Sequence, residues 1–467
     1  MSFLSPTFMF LFLPLALIAF AVVPKQKRID ILPVIGIVFF VCVNISDPLS
    51  LLYITFVAAS VIAAMAIYKK TRKALYLHLF AIIFFALGAV ILVLRIFNGA
   101  SLLRGAGVVI CLMSSVSLCL DVARGKENAP RSLWEGVAYV TYFPTMLVGP
   151  FLSFKEFTER SKSGLGFSTE SFAKGTLLFL KGFIKAIYIG AILGDAFTGV
   201  LSFGSDSMGS AVAILVIAAQ SLALYAFFSG YSDMARGISA LLGIEIEPDM
   251  GSPFDSLTPS EYLRSFFRGF SVFFKSYIAA PVISAFGETV WSRILASALS
   301  STMLLLLFCQ NPQTFLILLP FTVIAEYFVL FGRSPKKLPA IPARIAKCLL
   351  TFAIMAAAWA VVSSSSIDEM KDSFAQTASN GFFYISYSGA AKLLNLKYLV
   401  LPTVGCIMSF AGSFVLKSND TAGEKTGFTI FKYAASIVLL LAFTMGVIML
   451  LPQFPGLASA VFGANII

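Results

Sequence analysis

Histidine is almost missing from this sequence: His78 is the only one in 467 residues. Charge is scarce as well. Only 12% of residues are Asp, Glu, Lys or Arg, about half the roughly 25% typical of soluble domains. Cysteine pairs are absent too. Cys42, Cys111, Cys119, Cys309, Cys348 and Cys406 lie singly in apolar segments without a C-x-x-C, so they read as buried thiols that form neither a disulfide framework nor a metal site. No metal ligand set is expected.

What the sequence has in abundance is apolar length. It is 58% hydrophobic, with a mean hydropathy of +0.91. Runs of about 20 apolar residues recur, each enough to cross about 30 Å of hydrocarbon as a helix. A β-barrel is excluded, because its strands would be about 10 residues of alternating polarity. The expected fold is all-α, a polytopic membrane protein forming one unit over 1–467, with no internal repeat and no linker.

Spans are expected near 3–23, 31–47, 49–68, 75–97, 107–120, 171–203, 208–228, 291–309, 313–332, 344–363, 396–416 and 427–451. Part of 171–203 is expected to lie in the interface, because it is too long for one straight crossing and carries Lys174, Lys181, Lys185 and Asp195. Two further segments, 134–153 and 234–286, read as re-entrant or interfacial. About 11 crossings result. The first apolar run lacks a basic n-region and a small-residue cleavage site, so it reads as a retained span.

The net charge of +11 comes from short basic clusters between apolar runs, so a lipid bilayer is the expected partner and nucleic acid is not. Lys25, Lys27 and Arg28, then Lys69, Lys70, Arg72 and Lys73, then Arg124, Lys126 and Arg131 fall on one side if each span crosses once. The positive-inside rule then puts the N-terminus outside a multi-pass cell-membrane protein, and the polar stretch 364–394 outside with it.

Three stretches break the apolar pattern. In YVTYFPTMLVGPFLSFKEF, Pro144, Gly149 and Pro150 cannot all sit in a regular helix. Such backbone is tolerated at membrane depth only when buried in protein or lining a cavity; an interfacial loop is the alternative. In FFSGYSDMARGISALLGIEIEP, an apolar helix runs out and Asp233 and Arg236 follow at i,i+3. They suit either an ion pair at a helix end or a pair facing an interior cavity. In TPSEYLRSFFRGFSVFFKSYIAAP, Thr258 to Glu261 resembles a capping box, and Arg264, Arg268 and Lys275 share one face of a continuous helix. That face suits either an anionic lipid surface or a phosphate-bearing substrate.

Taken in order, these segments resemble the membrane-bound O-acyltransferase (MBOAT) family, in its branch of alginate O-acetylase and teichoic-acid D-alanyl transfer proteins. FSGYSDMARGISALLGI is similar to that branch's FSGYSDMAIG signature. TPSEYLRSFFRGFSVFFKSY, FPTMLVGPFLSFKEF, CLMSSVSLCLDVARGK and the N-terminal MSFLSPTFMFLFLPL resemble further blocks in the same order. The resemblance implies a helical bundle around a central chamber, with an acyl group entering from the cytoplasm and passing to a hydroxyl outside. It implies a thioester donor, acyl-CoA or an acyl carrier protein, with no tightly bound cofactor, and an acyl carrier or envelope-assembly partner. Tyr231, Ser232, Asp233 and Arg236 would line the substrate channel, with Arg264, Arg268 and Lys275 at the donor's entry.

The pattern departs from the family at the catalytic position. Gln310 stands where the family's G-L-W-H-G histidine is expected, at the mouth of the chamber, and Asn311-Pro312 follows. Phe267 replaces the histidine of an R-R-W-H block, and Ser276 the aspartate of L-R-D-Y. A glutamine cannot act as a general base, and losing a general base typically costs about 100- to 10,000-fold. Two main readings follow: acyl transfer to a cell-surface glycan or polymer, or a catalytically inactive homologue with a binding or regulatory role. A transporter is a third, supported only by the broken helices. His78, in the fourth span, reads as a helix-face residue near the interface.

Overall fold

The computed structural model describes residues 2–45, 47–97, 107–125, 130–147, 151–162, 165–166, 168, 169–195, 208–308, 312–332, 341–363, 367–387, 390, 396–419 and 438–446. Among the described residues every element is a helix, apart from one isolated bridge between Met208 and Ile385.

In chain order the helices are α1 (Phe8–Val22), α2 (Arg28–Val43), α3 (Pro48–Thr71), α4 (Ala74–Phe97), α5 (Val108–Arg124), α6 (Leu133–Val140), α7 (Phe143–Met146) and α8 (Phe154–Lys162). They continue as α9 (Thr169–Asp195), α10 (Ser210–Leu241), α11 (Pro259–Phe266), α12 (Arg268–Phe286), α13 (Val290–Phe308), α14 (Pro312–Phe331), α15 (Ile341–Ser363), α16 (Ile367–Ser379) and α17 (Leu396–Asn419).

Eight helices among the described residues are long and apolar enough to cross a membrane, or nine with α1 and α2 counted as one bent span. This all-α, polytopic architecture agrees with the sequence reading. Side chains on the outside are large and apolar, for example Phe321, Ile324 and Phe328 along α14. The polar side chains Ser115, Asp121, Glu135, Asp233 and Ser239 are buried. That distribution suits a lipid solvent, in which polar groups face the bundle interior.

The structure alters several sequence expectations. The expected crossings at 3–23 and 31–47 are one pair of helices bent by 120°. Arg28, read as part of a basic cluster between two spans, is buried at that bend, donating to Leu165 O at 3.0 Å and Val23 O at 3.1 Å. Segment 234–286 is neither one re-entrant stretch nor one interfacial helix. Its first part completes α10, and its last part, α12, is itself apolar enough to span. The 364–394 stretch is partly helical, as α16, and its Phe382 and Tyr384 carbonyls accept from Ala211 and Gly209. Cys111 and Cys119 are buried as expected, whereas Cys406 is exposed. Gly149, Pro150, Gln310 and most of 427–451 lie outside the described residues.

Why α10 runs through Gly230 follows from packing. A mid-helix glycine costs about 1 kcal/mol relative to alanine, yet here it admits a neighbouring backbone. A Cβ on Gly230 would lie 2.6 Å from Gly182 O, and one on Gly237 would lie 2.6 Å from Gly175 O. Gly175 and Gly182 on α9 therefore meet Gly237 and Gly230 on α10 in antiparallel order, two turns apart on each helix. Small residues that let backbones touch are the usual adhesive between helices in lipid. The helix stops only at Leu241, where Gly243 takes φ 86° and its N–H bonds Ala240 O, a left-handed C-terminal cap.

Candidate functional site: a charged cluster between two glycine-packed helices

The α9–α10 contact carries the acid and base that stand out in the sequence. Asp233 is buried in the middle of α10's last turns, not at a fraying helix end. Its Oδ1 accepts from Arg236 Nη1 at 3.1 Å. Its Oδ2 lies 3.1 Å from Lys185 Nζ and 3.4 Å from Lys181 Nζ, both on α9. Lys185 also donates to Ser229 Oγ at 2.7 Å, and Arg236 Nε donates to Ile246 O at 3.0 Å. A π-helical turn begins at Lys185. Such turns insert a residue into the helical register, and this one starts where the second lysine meets the carboxylate.

The pairing of Asp233 with Arg236 agrees with the sequence, but Arg264 takes no part. It donates Nη2 to Phe328 O at 3.0 Å and Val329 O at 2.6 Å near the C-terminal end of α14. A cation suits that negative pole. Lys181 and Lys185, read as interfacial charges, instead turn inward to Asp233, because nothing in α9's own pattern says which helix its lysines face; Ser229 was missed. Tyr231 is buried, its ring 4.8 Å from that of Phe227 and 6.0 Å from that of Phe3. Ser232 is buried.

The expected cationic face of Arg264, Arg268 and Lys275 is split. The chain breaks at Phe267, which has φ −114° and ψ 48°, so Arg264 ends α11 while the other two belong to α12. Arg268 and Lys275 are exposed. Arg264 lines a groove of about 660 Å³ between α11, α14 and α15, whose other walls include Leu318, Phe321, Ile324 and Ile354. Apolar walls of this kind suit a hydrocarbon chain better than a phosphate. The capping box does form: Thr258 Oγ1 accepts from Glu261 N, and Glu261 reaches back to Leu257 N at 2.9 Å.

Two further polar links join blocks that are far apart in sequence. Tyr142 and Ser239 share a hydrogen bond of 2.7 Å, and Ser239 Oγ donates to Ile244 O. Asp121, at the end of α5, accepts from Tyr277 OH at 2.9 and 3.0 Å and from Lys155 N at 3.1 Å. Arg124, 3.6 Å from Asp121, donates to Ser276 O and stacks over the Tyr277 ring. The stretches starting at Cys111, Tyr139, Phe228 and Thr258 are thus tied together by hydrogen bonds that centre on the buried Asp121, Tyr142, Ser239 and Tyr277.

In the loop after α10, the carboxylate of Asp249 sits against Gly269, where a Cβ would lie 1.8 Å from Oδ1. Burial pushes this carboxyl up to about 6, against the opposing pull of the Phe151 and Gly269 N–H groups and of Arg268 and Arg236. His78 is exposed on α4, its Nδ1 2.9 Å from Ala74 O. No cluster of three metal-ligating side chains occurs among the described residues.

Comparison with protein families matches residues 18–303 to MBOAT, the membrane-bound O-acyltransferase family, which is more than half of the chain. The chain belongs to that family. The MBOAT match covers α2 to α10 and the polar links just described up to α13. Among curated proteins, the chain is similar to the probable alginate O-acetylase AlgI of Pseudomonas putida, with 30% identity over 173 residues, 37% of this chain and 35% of that one. The probable alginate O-acetylase of Azotobacter vinelandii matches at 30% over 173 residues, 37% of this chain and 34% of that one. The peptidoglycan O-acetyltransferase of Helicobacter pylori matches at 27% over 149 residues, 31% of this chain and 28% of that one. The match spans about a third of the length of these relatives.

Proposed function

We propose that this chain transfers an acyl group to a hydroxyl of a cell-surface glycan or polymer. The observation that carries the proposal is the family match together with two kinds of relatives, named as a probable alginate O-acetylase and a peptidoglycan O-acetyltransferase. Under this reading an acyl thioester, acyl-CoA or an acyl carrier protein, delivers the group from the cytoplasmic side. The protein resides in the cell membrane, with an acyl carrier or envelope-assembly protein as its partner; an N-terminus outside keeps Lys69, Lys70, Arg72 and Lys73 inside only if the bent α1–α2 pair enters and leaves on one face. Asp233 and Arg236 hold the chamber wall together. The Arg264 groove suits the donor's acyl chain by its apolar lining.

A second reading, a binding or regulatory homologue without catalysis, rests on one specific observation. The family's histidine position reads Gln310, and the sole imidazole, His78, is exposed on α4. The amide supplies no general base. Purified full-length protein incubated with a labelled acetyl thioester separates the two. Thioester consumption by wild type supports transfer. Consumption only by Gln310→His supports the inactive homologue, and none by either counts against the transferase reading.

A further inference from the structure

The α9–α10 contact holds more positive charge than Asp233 balances. Lys181, Lys185 and Arg236 all reach this one carboxylate, a local excess of two positive charges, of which only that of Arg236 is shared with a second carboxylate, Asp249. The three cationic side chains are only 14, 17 and 15% exposed, so water screens them little. Charge of one sign gathered where water screens it little is costly and marks a place where a counter-charge belongs.

The hydrogen-bond count gives the same result. Both oxygens of Asp233 are taken, Oδ1 by Arg236 and Oδ2 by the two lysines. An ammonium has three donors and a guanidinium five. Lys185 Nζ has two acceptors, Ser229 and Asp233. Among the described residues, Lys181 Nζ has Asp233 alone, at 3.4 Å. Arg236 gives Nε to Ile246 and Nη1 to Asp233, and its Nη2 has no acceptor among the described residues. Unspent donors from two helices thus surround a saturated carboxylate.

We propose that Lys181, Lys185 and Arg236 form a binding site for a phosphate group, with Asp233 as the internal counter-ion that holds the three cations in place. A phosphate carries a charge of about −1 to −2 and several acceptor oxygens, which matches both the charge surplus and the unspent donors. The site is internal. Lys174, seven residues before Lys181, pairs with Glu245 at 3.1 Å and is about a third exposed (36%), and seven residues of helix rise about 10 Å. The phosphate belongs either to the thioester donor, in which case the site deepens the acyl-transfer reading and rests on it, or to free inorganic phosphate.

Thermal unfolding of the detergent-solubilised full chain tests the proposal, with inorganic phosphate titrated at constant ionic strength against chloride, and coenzyme A in a parallel series. A saturable rise in Tm with either phosphate probe, absent with chloride, is expected. A response to coenzyme A alone assigns the phosphate to the donor; a response to inorganic phosphate as well assigns it to the free anion. Lys181→Gln is expected to raise the half-saturating concentration at least tenfold without lowering Tm in phosphate-free buffer, because it removes surplus charge while Lys185 and Arg236 still hold Asp233. Lys155→Gln, which alters only an exposed pair with Glu159, keeps the wild-type response. No saturable response in wild type, or an unchanged half-saturation in Lys181→Gln, overturns the site. So does a fall in Tm of Lys181→Gln without phosphate, which would make Lys181 a structural counter-ion. Acyl transfer measured in a protein lacking the anion response would leave the acyl-transfer reading standing and remove this one.

Discussion

Gly182 and Gly230 touch backbone to backbone: a Cβ on Gly182 would lie 2.5 Å from Gly230 O, and one on Gly230 would lie 2.6 Å from Gly182 O. This contact fixes the distance between α9 and α10, and with it the reach of Lys181 and Lys185 to Asp233.

Gly182→Ala and Gly230→Ala should each lower stability by about 1–3 kcal/mol or more, the usual cost of overpacking, since the clashing atoms are backbone and cannot swing aside. Gly136→Ala serves as the contrast, because its nearest neighbour would be an ordinary 3.4 Å away. Detergent melting curves in which all three variants behave alike would refute the packing argument.

Removing the carboxylate of Asp233 leaves three cations facing one another. Asp233→Ala is expected to cost about 3–5 kcal/mol, the range for breaking a buried ion pair, and to reduce the yield of folded protein. Unchanged Tm and expression would mean that Asp233 is solvated instead of buried.

Tyr277→Phe keeps the ring under Arg124 and deletes only the hydroxyl that Asp121 accepts. Hydrogen bonds to charged groups contribute about 1.5–3 kcal/mol, so a destabilisation in that range is expected by thermal melting. A neutral result would show that Lys155 N and Arg124 satisfy Asp121 by themselves.

Asp249 gives the stability a pH dependence of known sign. Its folded-state value is raised to about 6 from an ordinary 3.8, so the native state binds more protons between those two values. The contribution is fully present below about 4 and is lost as pH rises through about 6. Asp249→Asn should flatten that part of the Tm–pH profile while an amide oxygen still accepts from Phe151 and Gly269. A profile of unchanged slope over pH 4–6 would show that another group sets it.

The sequence determined the solvent of this protein and hence its class. Apolar runs of span length, scarce charge and one histidine are properties of composition, and no tertiary arrangement alters them. Local signals were legible too: the Thr258 capping box forms, and Pro144 opens a separate short helix after the break at Tyr142. Periodicity went wrong where packing overrides it. The glycine and polar residues after Phe228 read as a helix end, yet α10 continues because Gly182 fills the space that Gly230 leaves. Arg264, Arg268 and Lys275 share a face only if the helix is unbroken, and the break at Phe267 divides them. Of the cations that meet Asp233, Arg236 was legible at i,i+3, and the two lysines were decided by tertiary structure alone. Lys181 and Lys185 lie 48 or more residues earlier in the chain, and only the antiparallel glycine contact of α9 with α10 brings their ammonium groups to one carboxylate.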